Sequence, residues 1–375
     1  MNVLYINDYR TGTGYAKAGI EYIRSLKAAG INVFCRPLIF DLRFLEKIPE
    51  DILEIEKKEP KNIDAVIQHT LPIHMQYDSK YCNIGMFASE TSHYKSSGWA
   101  DNLNCMDSIF VFNEQMVSAA IKSGVKKDIK IIPHATNVDK YFTKYNKPKF
   151  IEEIKNNNKF IFYTIGEFNR RKNFASLLMS YFLEFSKDEN VCLLVKTSCS
   201  KDEFFSFCDE ISKSLKINYL PEIALINTKL SEDEICSMHY NCDCFVQTSY
   251  GEAWSIPAFE AMCFGKTPIV PASSGYLSYM DDNCGWTIPV IESQVFGMTK
   301  NLPELYHGDE KWWQIDIPKA RQFMREAYTN ENNRLKKSEN GINKSFSFSH
   351  AEIGKILAEN IKWAIERKSL SGKTL

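Results

Sequence analysis

The sequence predicts an α/β protein made of two successive domains, each built on a parallel sheet. Three observations carry that prediction. Short apolar runs alternate with amphipathic stretches along most of the chain. A glycine-containing loop stands between the first run and the first amphipathic stretch. A polar interval rich in Lys and Asn, Asp139 to Asn158, then separates two such series. Strand, loop, helix, strand is a βαβ unit, whose strands run parallel. The length of 375 residues agrees, because at roughly 150 residues per domain it accommodates two or three.

In the first series, Asn2 to Ile6 is apolar with β-branched and aromatic members, the mark of a buried strand. The loop Asp8 to Gly14 follows. Tyr15 to Ala29 is an amphipathic helix with Ala16, Ile20, Ile23 and Leu26 on one face, closed by Gly30. Ile31 to Cys35 is the second strand. Strands are expected at Asp64 to Gln68, Asn83 to Phe87, Ser108 to Phe112 and Lys130 to Pro133, with helices at Trp99 to Cys105 and Glu114 to Ser123. In the second series, strands fall at Lys159 to Ile165, Val191 to Thr197, Ile223 to Ile226, Cys244 to Thr248 and Thr267 to Val270. Helices fall at Phe174 to Phe185, Phe204 to Leu215, Ser231 to Asn241 and Pro257 to Phe264, the third opened by a Ser231–Glu234 capping box. A last helix covers Ala351 to Ile365. The domains are set at residues 1–145 and 146–345.

Composition narrows the function classes. Hydrophobic residues are 44% and charged residues 25%, enough for a packed core and too little charge for disorder. Lys and Arg number 46 against 47 Asp and Glu, which argues against nucleic-acid binding by bulk charge. Eleven Cys follow no framework pattern, and Cys242 and Cys244 around Asp243 lack zinc-ligand spacing. Free thiols, the absence of a signal-like start and the lack of a long uncharged run lead to the expectation of a cytoplasmic protein. There is no Gly-x-x-x-x-Gly-Lys-Ser/Thr and no His-Glu-x-x-His, which excludes the P-loop and zinc-hydrolase motifs. Cys35-Arg36-Pro37 stands where a nicotinamide-dinucleotide binder carries an acid.

Three segments carry chemistry. In Ser249 to Met262, Glu252 and Glu260 are eight positions apart around a helix start, with Pro257 in the first turn and Ser255 as the expected N-cap. Free N–H groups there suit a phosphate, and ionised carboxylates suit sugar hydroxyls because they only accept hydrogen bonds. The bland alternative is a solvated Glu at each position. The second segment, Gly166-Glu167-Phe168-Asn169-Arg170-Arg171-Lys172-Asn173, places three cations at the C-terminal edge of a parallel sheet, where such folds bind ligands. Lys196, at the end of the next strand, is counted with it. The third, Thr11-Gly12-Thr13-Gly14-Tyr15, lets backbone approach a ligand closely but falls short of a full dinucleotide fingerprint.

Together these segments resemble family 4 of the retaining, nucleotide-sugar-dependent glycosyltransferases. Cys242 to Ser249 followed by Glu252 is similar to the family's strand-then-Glu segment, and Glu252 to Glu260 matches its E-x7-E motif. Glu260-Ala261-Met262-Cys263-Phe264-Gly265-Lys266-Thr267-Pro268 is similar to the E-A-M-A-x-G-x-P continuation. Ile132 to Asp139 is similar to the interdomain P-x-G-V-D segment.

The resemblance implies the GT-B fold, two Rossmann-like domains whose parallel sheets face a central cleft. The helix within residues 351–375 would cross back to the N-terminal acceptor domain, and hinges are expected near 137–150 and 340–350. It implies a retaining transfer from a nucleoside-diphosphate sugar, which is a co-substrate rather than a cofactor, without a metal. Glu252 would face the donor sugar and Glu260 hold the ribose. Lys172 and Arg171 would hold the diphosphate, with Arg170 an alternative to Arg171. Gly12, Gly14, Gly166 and main-chain groups at Trp254, Ser255 and Ile256 would line the donor, the bulky Trp254 reshaping its sugar pocket. Glu90, His93 and His134 are candidates on the acceptor or catalytic side. The expected partners are the nucleotide-sugar donor and a glycan, lipid-linked glycan or, at lower weight, a modified DNA base. A weak membrane or polyanion contact at Lys122 to Lys130 is weighed against a solvated helix end. The rival readings are a phosphorylase or epimerase on the same fold and a non-catalytic nucleotide-sugar-binding protein.

Overall fold

The computed structural model describes residues 1–155, 157–298 and 305–371. It divides into two compact units, one of residues 1–138 with 346–375 and one of residues 139–345. The expected boundary was 145/146.

The first unit holds β1 (Asn2–Asn7), α1 (Gly14–Ala28), β2 (Asn32–Pro37), α2 (Glu50–Glu56), β3 (Ala65–His69), β4 (Cys82–Met86), α3 (Trp99–Cys105), β5 (Ser108–Val111), α4 (Glu114–Lys122) and β6 (Ile129–Ile131). The strands form one parallel sheet in the order β2-β1-β3-β4-β5-β6. Every residue of β3 and β4 is buried, as expected of strands in a parallel sheet covered on both faces. The chain leaves β1 toward β2 and later returns on the other side to form β3. The loop after β1 therefore lies at a topological switch point, where open α/β sheets bind ligands.

Thr13 caps α1 by accepting from Ala16 N–H at 3.1 Å, and Gly30, at φ +73°, stands just past its end. The C-terminal helix, His350–Ser371, belongs to this unit and packs on α1. It runs six residues past the expected end. Gly354 makes the packing close: a Cβ there would stand 2.3 Å from the Ser25 carbonyl oxygen.

The second unit holds α5 (Lys149–Lys155), β7 (Phe160–Ile165), α6 (Phe174–Glu184), β8 (Val191–Lys196), α7 (Lys201–Ser214), β9 (Glu222–Ile226), α8 (Glu232–Asn241), β10 (Cys244–Phe245), α9 (Ile256–Cys263), β11 (Ile269–Pro271), β12 (Trp286–Ile288), β13 (Val290–Gln294), β14 (Lys311–Ile315), α10 (Ile317–Thr329) and α11 (Glu331–Ser345). Four parallel strands take the order β10-β7-β8-β9, with the pair β11-β12 joined through a Val246–Ile269 bridge. The first strand is again internal, so the loop after β7 also lies at a switch point. The core gathers Phe162, Leu178, Tyr181, Leu193 and Val246 with Met324 of α10.

Several boundaries differ from expectation for local reasons. α7 begins at Lys201 because Ser200 caps it, accepting from Glu203 N–H. β10 ends at Phe245, although Val246 N–H still reaches Tyr163 O and Gln247 N–H reaches Ile269 O. The chain beyond turns toward the site. The polar interval 139–158 is not structureless, since α5 buries Ile151 and Ile154. The hairpin β13–β14 and helices α10 and α11 had no sequence expectation.

Candidate active site

The site grows from the loop between β7 and α6. Gly166 N–H donates to Lys196 O at 3.0 Å, which ties the exits of β7 and β8 together. Asn169 Oδ1 accepts from Lys172 N–H at 3.2 Å and closes a 3₁₀ turn over Arg170–Lys172. Asn173 then takes the left-handed conformation, φ +52°, and caps α6 through Ser176 N–H. Asn and Asp tolerate that conformation better than other side chains. Capping thus fixes the three cations at the sheet edge.

Across from them is Glu252, in the loop before α9. Lys172 Nζ donates to Glu252 Oε1 at 2.6 Å, and Arg171 NH1 lies 3.1 Å from Oε2. Arg171 NH1 also donates to Gly251 O at 2.7 Å, and Tyr250 N–H donates to Arg171 O at 2.8 Å. Gln247 Nε2 reaches Glu252 Oε1 at 3.3 Å, and Ser255 Oγ donates to Gln247 Oε1 at 2.5 Å. Glu252 is only 6% exposed. Burial alone would raise its pKa, but the charges of Lys172 and Arg171 outweigh burial and bring it to about 2. The structure thus joins the buried Glu252 with the partly buried Lys172 and Arg171 in one ionic cluster. Arg170 is placed elsewhere, its guanidinium over the Tyr250 and Phe296 rings at 5.5 and 5.8 Å.

Glu260 lies inside α9 and is 3% exposed. Lys140 Nζ donates to its Oε1 at 2.5 Å, and His239 Nε2 stands 3.8 Å from its Oε2. Lys196 is half-buried, and burial lowers its pKa. Its Nζ turns to the adjacent Thr197 carbonyl at 3.4 Å.

One expectation around α9 is corrected. Ser255 occupies the N-cap position without capping by its side chain, because its hydroxyl is committed to Gln247 and its φ is +65°. That backbone is strained for a non-glycine residue, a feature that clusters at functional sites. Trp254 is placed next to Ser255. Its ring is 2% exposed and packs against Tyr279 and Phe259 at centroid distances of 5.0 and 5.5 Å. Ile256 opens α9, where first-turn N–H groups have no helical acceptor.

In the first unit, Gly12 is exposed in the loop after β1 and Gly14 is exposed at the first residue of α1. Glu90 and His93 are half-buried in the loop after β4. His134 is 5% exposed between Phe112, at 4.4 Å, and Tyr22, at 5.5 Å. Burial, then the neighbouring His69, hold its pKa well below the usual imidazole range. His134 is a member of a buried aromatic cluster.

Sequence reading missed Lys140, Gln247 and the segment Ser273–Tyr276. Gly275 N–H donates to Glu252 O at 2.9 Å, and a Cβ at Gly275 would lie 2.3 Å from Ala253 O. Only glycine admits that approach. The Ser-Ser-Gly run after an apolar strand was the available signal. Ser273 Oγ, Ser274 Oγ, Thr197 Oγ1 and Asn173 Nδ2 are buried without hydrogen-bond partners among the described residues. Buried groups of this kind call for an explanation, and a bound polar ligand is one. Among the described residues no three His, Cys, Asp or Glu side chains cluster as metal ligands, and no helix is long and apolar enough to cross a membrane.

Residues 146–296 match the family model of glycosyl transferases group 1. The basic loop, Glu252 and Glu260 all lie within that span, so the second unit carries a glycosyltransferase group 1 domain. None of the curated proteins matches the chain. Among solved structures, sucrose-phosphate synthase from Thermosynechococcus elongatus aligns over 97% of this chain and 98% of its own, at 13% identity and a TM-score of 0.65. HepE from Anabaena, solved with UDP-glucose, aligns over 96% and 99%, at 12% identity and 0.64. WaaG, a glycosyltransferase involved in lipopolysaccharide biosynthesis, aligns over 96% and 99%, at 14% identity and 0.61. Those likenesses establish the two-domain α/β fold of GT-B glycosyltransferases.

Proposed function

We propose that the protein is a retaining glycosyltransferase of the family 4 type, transferring a sugar from a nucleoside-diphosphate sugar to an acceptor hydroxyl without a metal. The observation that carries this reading is the pairing of Lys172 and Arg171, both partly buried, with the buried Glu252 at the switch point of the second sheet. A diphosphate brings more charge than one carboxylate, so it competes with Glu252 for both cations. Released in that exchange, Glu252 becomes an acceptor for a sugar hydroxyl. The UDP-glucose held by HepE supports a nucleotide-sugar donor of this class.

In the reaction, the bond from the anomeric carbon to the departing phosphate oxygen breaks, and a bond from that carbon to the acceptor oxygen forms on the same face. The acceptor proton passes to the departing phosphate. Lys172 and Arg171 stabilise the negative charge that develops there, preorganised by the Asn169 turn and the Tyr250 main chain. Gly12 and Gly14 give a ligand close access to backbone. Glu90 and His93 remain the candidates for the acceptor side. The acceptor is proposed to be a glycan or lipid-linked glycan, and the site of action the cytoplasm.

A thermal-shift screen of UDP, GDP and ADP and their sugars tests the donor assignment. We expect one nucleotide to raise Tm. Product anomer by NMR then tests retention, and turnover undiminished by EDTA tests metal independence. Binding of none of these nucleotides overturns the proposal.

A further inference from the structure

The second unit holds another set of linked polar groups, built around Glu260. Lys140 Nζ donates to Glu260 Oε1 at 2.5 Å, His239 Nε2 lies 3.8 Å from Oε2, and His239 Nδ1 shares a 2.8 Å hydrogen bond with Tyr163 OH. Side-chain exposure falls from 13% at Lys140 to 4% at Glu260 and 0% at His239. The imidazole is held in place by Phe264, stacked at 5.5 Å and 9°. Phe264 in turn meets Tyr141, the residue after Lys140, edge-on at 4.9 Å. The carboxylate is therefore enclosed on its imidazole side, with Lys140 at the more exposed end of the chain.

We propose that Lys140 is a positioning residue that makes Glu260 a reader of a vicinal diol, the ribose of the nucleoside diphosphate. The inference rests on the reading of Glu260 as the ribose-holding carboxylate. A carboxylate so nearly sealed from water stays ionised at low cost only beside a cation. Ionised, it offers acceptors alone, which is what two adjacent hydroxyl donors require. Pairing with Lys140 also fixes the direction of Oε1. Without the ammonium, the carboxyl group is free to rotate or to take up a proton, and either change spoils a two-point match to a diol. Lys140 acts through Glu260, so its effect vanishes when the ligand has no ribose hydroxyls or when Glu260 has no charge.

The test is calorimetric titration of the intact chain with UDP, GDP and ADP, followed by the 2′,3′-dideoxy form of whichever binds. In Lys140→Met we expect the ribonucleotide to weaken about 10-fold, the size expected for loss of a charge-assisted hydrogen bond, while the dideoxy form changes less than about twofold. Lys140→Arg restores most of the ribonucleotide affinity. In the Glu260→Gln background, Lys140→Met adds nothing further, and that uncharged pair also keeps the test valid if Lys140→Met alone folds poorly. Equal loss for both ligands, no loss, or an additive loss in the double variant overturns the role of Lys140 alone. Failure of the unaltered protein to bind any of the three overturns the nucleotide-sugar reading itself, and Lys140 with it.

Discussion

The loop after β1 and the loop after β7 hold the same place in two sheets of the same kind, yet their carboxylates sit in opposite surroundings. Each leaves an internal first strand at a switch point and enters a helix through a side-chain cap, Thr13 in one and Asn173 in the other. In the first loop the cation, Arg10, is tied up by Glu56 of α2, with Nη2 donating to Oε1 at 2.6 Å and Nε to Oε2 at 3.0 Å, and the carboxylate, Asp8, has an Oδ2 that accepts from the Thr11 and Thr13 hydroxyls, each at 3.2 Å. Burial raises its pKa, and those hydroxyls offset the rise only in part. In the second loop Arg171 and Lys172 hold a buried carboxylate far below its ordinary value. Topology sets where a ligand meets each sheet. Side chains set the chemistry of each: in one unit glycines, hydroxyls, a carboxylate and a cation already paired with Glu56, in the other Arg171 and Lys172 gathered on Glu252.

Removing the charge breaks the comparison most directly. Lys172→Ala should lower donor turnover about 10²–10³-fold, the range for loss of one preorganised contact to a developing anion. Steady-state release of nucleoside diphosphate measures it. Undiminished turnover would remove the basic loop from the chemistry and leave the two loops functionally equivalent.

The two carboxylates should also differ in how they respond to acid. Glu252 falls from 4.5 to about 2 on folding, so its contribution is complete above pH about 4.5 and lost as pH descends toward 2. That shift corresponds to about 3 kcal/mol. Glu252→Gln should therefore lower stability at neutral pH and flatten the acid limb of a plot of Tm against pH. Asp8 has the reverse sign. Its pKa is raised in the folded chain, so its contribution is present below the unfolded value and is lost as pH rises through the folded one. Asp8→Asn should raise Tm at neutral pH, by less than Glu252→Gln lowers it. Shifts of the same sign in both variants would show that the two loops are not electrostatic opposites.

This contrast was only partly legible in the sequence. The βαβ order and both loops could be read because apolar runs, Gly30 and the run Arg170-Arg171-Lys172 are local signals. Glu252 could be placed beside a helix start, but its pairing with Lys172, 80 positions earlier, is fixed only when β10 docks on β7. Lys140 was invisible for the same reason, being 120 positions from Glu260. The packing of Trp254 on Tyr279 and of His134 on Phe112 was likewise out of reach of the sequence, because it joins residues 25 and 22 positions apart. The hairpin β13–β14 escaped notice because its charged and polar members, Glu292, Ser293 and Gln294, interrupt the apolar pattern of a strand.

The smallest expected effect sharpens the comparison from the first unit's side. Gly14 is the first residue of α1, it does not have a positive φ, and a Cβ built there meets nothing within 4 Å. Alanine thus fits the native backbone and restricts the unfolded chain, so Gly14→Ala should stabilise the protein by about 0.4–1 kcal/mol. If the glycine served only the fold, turnover would stay unchanged. If the loop admits a ligand to its backbone, the added methyl occupies that approach, and turnover falls while Tm rises. We expect the second pattern, with a loss well short of that in Lys172→Ala, because steric crowding at one backbone contact removes less than the loss of a preorganised charge does. Opposite movement of Tm and turnover is the informative signature, since a mutation that merely damages folding moves both downward.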